Sequence, residues 1–202
     1  MRTPVALSLI ALLSLPSAAL AVPDPVLSTA ILNAPDFPCH FKFRVDSPAA
    51  FDELNVTVSL VNAAGVPEVA WPVTCTLLPI AGTLAFCTCC PNPQVVATNG
   101  LGIVVFTFKK IGGRGALGVS VGVGPWAFPV MPIAFTSPDM NGSCEAAPAG
   151  ATTLVDLGIF AGGLPPAPFD VNCDFNCSGV VDVVDLGVWA GGLNKGCGPP
   201  CP

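Results

Sequence analysis

The chain contains no tyrosine and a single histidine, His40, and only seven of its 202 residues are lysine or arginine. Each shortage excludes something. Seven scattered cations cannot build the basic stripe that grips a phosphate backbone, so no nucleic-acid partner is expected. One histidine rules out multi-histidine metal centres and leaves little for general acid–base work. Aromatics at 7%, without tyrosine, make a poor platform for stacking sugars. Long unbroken apolar helices are missing too. The charge-free stretches 69–108 and 115–138 are interrupted by prolines, and Leu117, Val119, Val121 and Val123 alternate at strand period. Gly118 and Gly122 have the spacing of a membrane-helix dimer motif, which means little on a strand.

What is present begins with Met1-Arg2, an apolar run from Val5 to Leu20, and Ala19-Leu-Ala21. A charged start, a short apolar core and a small-x-small site spell a secretory leader cleaved after Ala21. The expected location is therefore secreted or cell-surface, with no membrane span after cleavage. Ten cysteines in such a chain favour disulfides over redox chemistry. Cys39, Cys75, Cys87, Cys89 and Cys90 fall early, and Cys144, Cys173, Cys177, Cys197 and Cys201 late. Both sets are odd in number, so either one bridge links the halves or each half keeps an unpaired thiol.

Residues 22–136 read as β. Leu54, Val56, Val58 and Leu60 alternate with Asn55, Thr57 and Ser59, and strand-like runs recur near 27–32, 39–46, 54–61, 69–78, 84–89, 101–109 and 116–123. Short strands separated by Gly, Pro or Asn, without helical periodicity, predict a two-sheet sandwich. Val56–Leu60, Ala63-Ala-Gly65-Val-Pro67 and Thr98-Asn-Gly100-Leu-Gly102-Ile-Val-Val-Phe106 give this segment a further likeness. It resembles the bacterial immunoglobulin-like domains of adhesins and surface proteins, which implies an immunoglobulin-like β-sandwich.

From 137 onward the composition turns acidic, with seven acids against Lys195 alone between Asp139 and the C-terminus. Leu154-Val-Asp-Leu-Gly-Ile-Phe-Ala-Gly-Gly-Leu164 returns as Val183-Val-Asp-Leu-Gly-Val-Trp-Ala-Gly-Gly-Leu193, a duplication with a period of 29 residues. Each copy predicts one short helix that its Gly-Gly pair would end. Neither helix can bury its apolar face alone, so the two should pack together, Phe160 beside Trp189.

Ahead of the second copy, oxygen-bearing residues fall as in a twelve-residue calcium loop: Asp174, Asn176, Ser178, the Val180 carbonyl, Asp182 and Asp185, with Gly179 at the turn. Calcium is a hard cation that takes about six to eight oxygens, which is what this spacing offers. Ahead of the first copy, Asp139, Asn141 and Ser143 open in the same way, and Asp156 would close the site. Asp156 follows Asp139 by seventeen residues instead of eleven, so six residues, roughly Glu145–Gly150, are extra. A gapless frame instead pairs Glu145 with Asp174 and Gly150 with Gly179, and sets alanines against Asn176 and Ser178. In either frame the first site is expected to be the weaker. Cys173 and Cys177 flank Asp174 at a spacing that could suggest a soft metal, but disulfide clamps are the expectation in an exported chain.

Two calcium loops, each followed by one helix, with Asp at the last place of the loop, resemble a type I dockerin. The resemblance spans Asp139 to about Asn194. It implies a small α-helical dockerin-like module of EF-hand-type loop-helix repeats at 137–202. Calcium would be its cofactor and a cohesin-like protein its partner. One departure matters: the pair before each closing Asp, often polar in dockerins and used to select the partner, is here Leu154-Val155 and Val183-Val184.

No enzyme is expected. Acids in the first segment are confined to Asp24, Asp36, Asp46, Asp52, Glu53 and Glu68, and adjacent Asp52 and Glu53 would point to opposite faces of a strand. The expected function is a non-catalytic docking protein. The alternatives are a calcium-stapled structural surface protein, or a carbohydrate-binding accessory protein using Trp71 and Trp126.

Overall fold

The computed structural model describes residues 22–33, 41–42, 53–86, 91–109, 111–143 and 152–193. The leader, His40, the cysteines other than Cys75, Cys173 and Cys177, and the extra residues of the first loop lie outside them. Among the described residues the protein is mainly β with two short helices at its C-terminal end. The strands are β1 (Thr29–Leu32), β2 (Phe41–Lys42), β3 (Leu54–Ser59), β4 (Pro72–Phe86), β5 (Gln94–Ala97), β6 (Ile103–Phe108), β7 (Ile111–Val123), β8 (Trp126–Ala127) and β9 (Met131–Thr136). The helices are α1 (Leu154–Ala161) and α2 (Val183–Ala190). No helix among the described residues is long and apolar enough to cross a membrane.

One sheet has the order β1-β3-β6, and the other β2-β9-β7-β4-β5 with β8 turned back onto β7. Pairing is antiparallel throughout except where β2 runs parallel to β9. Alternation explains the burial. Leu54, Val56 and Val58 of β3 and Phe106 and Phe108 of β6 are fully buried, and so are Val73 and Cys75 of β4 and Leu117, Val119, Val121 and Val123 of β7. A single apolar core draws on both sheets. Dispersion and burial of these side chains supply the main driving force, at roughly 1.5–3 kcal/mol for each large aliphatic or aromatic residue.

The strand pattern differs from the sequence expectation at three places. The runs expected at 69–78 and 84–89 are one strand, β4, which bends at a register shift between Pro79 and Ala81 and continues to Phe86. Gly82 at that bend replaces the break that the sequence suggests. β9 lies beyond 116–123, the last strand expected; Pro132 is tolerated because it sits opposite Gly118, clear of the Phe135–Thr136 stretch that β2 flanks. β5 is a short edge strand with too little apolar alternation to be seen in advance.

β4 and β7 form a long antiparallel ladder whose outer half, Ala81–Phe86 against Ile111–Ala116, reaches the C-terminal segment. There the two backbones approach so closely that a Cβ on Gly82 (φ +83°) would lie 2.1 Å from the Arg114 carbonyl oxygen. Gly82→Ala is therefore expected to destabilise the protein by about 1–3 kcal/mol. Urea unfolding followed by circular dichroism checks this; an unchanged midpoint would show that the ladder has freedom the structure does not reveal.

Candidate metal centre

The two helices are built alike. α1 starts at Thr153 and α2 at Asp182, and each start is a capping box: the cap side chain accepts from the backbone ahead, and the carboxylate three residues on reaches back. Those returning carboxylates are Asp156 and Asp185, so the residues expected to close the metal loops also begin the helices. Phe160 and Trp189, one turn further along, are buried and stack with centroids 6.0 Å apart and planes at 24°. Phe175, Met140, Cys173 and Val181 complete this second core. The glycine pairs act differently from the sequence expectation. Gly162 and Gly191 keep right-handed helical dihedrals, so no left-handed cap ends the helices. The second glycine of each pair instead makes room: a Cβ on Gly163 would lie 2.7 Å from Cys173 Sγ, and one on Gly192 2.5 Å from Pro138 Cβ.

Around Asp174 the expected ligands come together. Asp174 Oδ1 accepts from Ser178 N at 3.0 Å and its Oδ2 from Gly179 N at 2.8 Å. Asn176 Oδ1 accepts from Ser178 N at 2.8 Å. Asp185 Oδ1 accepts from Asn176 N at 2.9 Å and its Oδ2 from Asp182 N at 2.9 Å. Ser178 Oγ donates to the Val180 carbonyl at 3.0 Å, and Asp182 Oδ1 accepts from Val184 N at 2.7 Å. Gly179 turns the chain at φ +84°.

Among the described residues the first loop repeats four of these bonds. Asp139 Oδ1 accepts from Ser143 N at 3.0 Å and Asn141 Oδ1 from the same N–H at 2.8 Å. Asp156 Oδ1 accepts from Asn141 N at 2.9 Å and its Oδ2 from Thr153 N at 2.8 Å. The residue at the fourth place is left-handed in both loops, Gly142 at φ +68° and Cys177 at φ +59°. This geometry selects the frame that opens at Asp139 over the gapless one, because Asp139, Asn141 and Ser143 converge on Asp156 across the extra residues. It also places Thr153 where Asp182 stands in the second loop, a correspondence the sequence offered three residues before each closing Asp. Among the described residues the first loop therefore carries two carboxylates where the second carries three.

Asp156, Asp174 and Asp185 are 0–2% exposed. Their hydrogen bonds come from backbone N–H groups and the Thr153 hydroxyl, and no lysine, arginine or histidine among the described residues pairs with them. A buried carboxylate without a cation is expensive, and each oxygen that accepts one N–H keeps a lone pair for a metal. Among the described residues no three His, Cys, Asp or Glu side chains converge on one point. Each loop instead combines carboxylates with amide, hydroxyl and carbonyl oxygens. That donor set fits a hard cation and fits zinc or copper poorly.

The thiols lie apart from this chemistry. Cys177 is disulfide-bonded, whereas Cys173, expected to join a clamp, is a free buried thiol, as is Cys75. Cys173 is spent on packing against Gly163, which leaves its sulfur enclosed. Each half of the chain thus holds one unpaired thiol among the described residues. Burial pushes both up to about 12, and at Cys173 the nearby Asp170 carboxylate adds to the effect. Asp170 itself is lowered. Burial acts against the charge, but the Asn172 N–H groups and the Arg114 guanidinium outweigh it.

No protein-family model matches the chain, and no curated protein is recognisably similar to it. Among solved structures it is similar to a β-glucosidase from Listeria innocua in complex with gluconolactone, at 14% identity over 54% of this chain and 16% of that one, with a TM-score of 0.29. The same enzyme in complex with glucose gives 12% identity, the same coverage and a TM-score of 0.30. A GH3 β-glucosidase from Bifidobacterium adolescentis gives 13% identity over 65% of this chain and 21% of that one, with a TM-score of 0.29. The chain thus spans about a fifth or less of these enzymes, and likeness at this level carries no argument about activity.

Two outcomes follow from the thiol and carboxylate environments. Iodoacetamide at pH 8 should leave the Cys75 and Cys173 peptides unmodified in the native protein and alkylate both in urea, as read by mass spectrometry. The lowered Asp170 stabilises the fold at and above the ordinary carboxylate range, and that contribution disappears as pH falls through its lowered value. Asp170→Asn should therefore be less stable than the parent at neutral pH, with the gap in urea midpoint closing toward strong acid.

Proposed function

We propose that this chain is an exported, non-catalytic docking protein: residues 22–136 an immunoglobulin-like sandwich, residues 137–202 a dockerin-like module folded by calcium. One observation carries the reading. Two loops of different length and sequence place buried carboxylates in the same net of backbone donors, as two sites for one kind of ion would require. In the second loop Asp174, Asn176, Ser178, the Val180 carbonyl and Asp185 would hold the ion, with Asp182 bound directly or through water. In the first, Asp139, Asn141, Ser143 and Asp156 would do so. Calcium supplies the positive charge that lets these carboxylates stay buried and ionised, so its binding energy becomes folding energy.

The docking surface is the aliphatic pair at the head of each helix. Leu154, Val155, Val183 and Val184 are 79%, 60%, 76% and 54% exposed, although each lies beside a fully buried aspartate. Aliphatic side chains held in water by a rigid loop favour an apolar protein partner, cohesin-like by the resemblance above. The rival structural reading, a stapled cap without a partner, draws on the close seating of the module against the β-domain, but it gives these four side chains no role. Carbohydrate stacking has less support, since Trp71 and Trp126 pack against the core with their indole nitrogens buried.

Calcium titration of residues 22–202 by calorimetry, with a chelated control in circular dichroism, tests the proposal. Binding at about micromolar Kd or tighter with a gain of helix is expected, and Asp185→Ala should abolish the tighter site. No heat and no spectral change would sink the proposal. Val183→Asp combined with Val184→Asp should keep calcium binding while losing capture by a panel of cohesin domains; equal capture by parent and variant would move the partner surface elsewhere.

A further inference from the structure

The first loop has a difficulty that the second does not. Its closing Asp156 is separated from Ser143 by six more residues than Asp185 is from Ser178, and a longer connection costs more entropy to close. Yet four hydrogen bonds common to the two loops agree to within 0.1 Å. Something outside the loop must hold its shape, and the β4–β7 ladder is placed to do so.

The outer half of that ladder touches the first loop at consecutive residues. Gly113 N donates to the carbonyl of Asp139 at 2.6 Å, and Thr83 Oγ1 donates to the carbonyl of Met140 at 3.2 Å. The same Thr83 hydroxyl accepts from Arg114 N at 3.3 Å, so one side chain ties both strands of the ladder to the loop. Gly142 is seated 3.3 Å, measured to a notional Cβ, from the Ala85 methyl carbon. These bonds of the ladder go to Asp139 and Met140 of the first loop. The ladder's other anchor to the C-terminal segment, Arg114 to Asp170 at 2.6 Å, holds the chain that leads into the second loop.

We infer that the outer β4–β7 ladder is a working part of the first calcium site: Thr83 is a positioning residue that holds Asp139–Asn141 in the binding shape despite the longer connection to Asp156. This rests on the calcium reading above. The β-domain is then more than a spacer, since it sets the affinity of one ion site and leaves the other alone.

The test uses residues 22–202 throughout, with calcium as the probe in calorimetry. Asp174→Asn isolates the first site and Asp156→Asn isolates the second. In the Asp174→Asn background, Thr83→Val should weaken calcium binding about threefold to tenfold, the loss that follows one missing hydrogen bond, and Thr83→Ser should restore it. In the Asp156→Asn background, Thr83→Val should leave affinity within about twofold. Equal weakening at both sites would mark Thr83 as generally structural and overturn the inference, and so would no weakening at the first. Absence of binding in Asp174→Asn alone would also overturn it while leaving the calcium proposal standing on the second loop. Absence of binding in the parent would end both.

Discussion

The C-terminal segment of this molecule is organised around carboxylates buried where water cannot reach them. Asp156, Asp174 and Asp185 lie at or near zero exposure among Phe160, Phe175 and Trp189, and no cationic side chain among the described residues answers them. Backbone N–H groups orient every carboxylate oxygen but cannot cancel its charge. The same aspartates close the loops and begin the helices, so helix formation, core packing and ion binding would rise or fall together. That coupling explains how helices of eight residues, too short to persist alone, hold a defined position.

The junction between the β-domain and the C-terminal segment obeys a related constraint. Ser137, Pro138, Asp139 and Met140 are all buried, so β9 enters the first loop without an exposed linker. Buried backbone at such a junction must find partners. Trp189 Nε1 donates to the Pro138 carbonyl at 3.1 Å, Thr136 Oγ1 to the Asn172 carbonyl at 2.8 Å, and Gly113 N to the Asp139 carbonyl. Each bond joins residues far apart in sequence. A proline that reads locally as a linker end is in the fold a wall against which Gly192 packs.

This contrast marks what the sequence could reveal. The strand alternation at Leu54–Leu60, the 29-residue repeat and the loop spacing at Asp174 depend on local periodicity, and local periodicity is written in order along the chain. The choice between frames for the first loop was not legible, because it depends on Asn141 N meeting a carboxylate fifteen residues away. Nor was the free thiol of Cys173 legible: pairing parity allowed it, but only the approach of Gly163 shows that its sulfur is spent on packing. The merging of two expected strands into β4 likewise depends on Gly82, whose left-handed backbone permits continuation where the composition suggested a break.

The absence of tyrosine acquires a use from one packing detail. Of the three tryptophans, Trp189 alone belongs to the C-terminal segment, and it lies at 1% exposure, stacked on Phe160 between the two ion loops. Its indole N–H is fixed by a backbone carbonyl at the domain junction. The intrinsic fluorescence of the chain therefore carries no phenolic emission to subtract, and one of its few emitters stands where loop closure, helix packing and domain seating meet. On the proposed calcium reading the molecule contains its own optical gauge of ion loading, with no dye to attach.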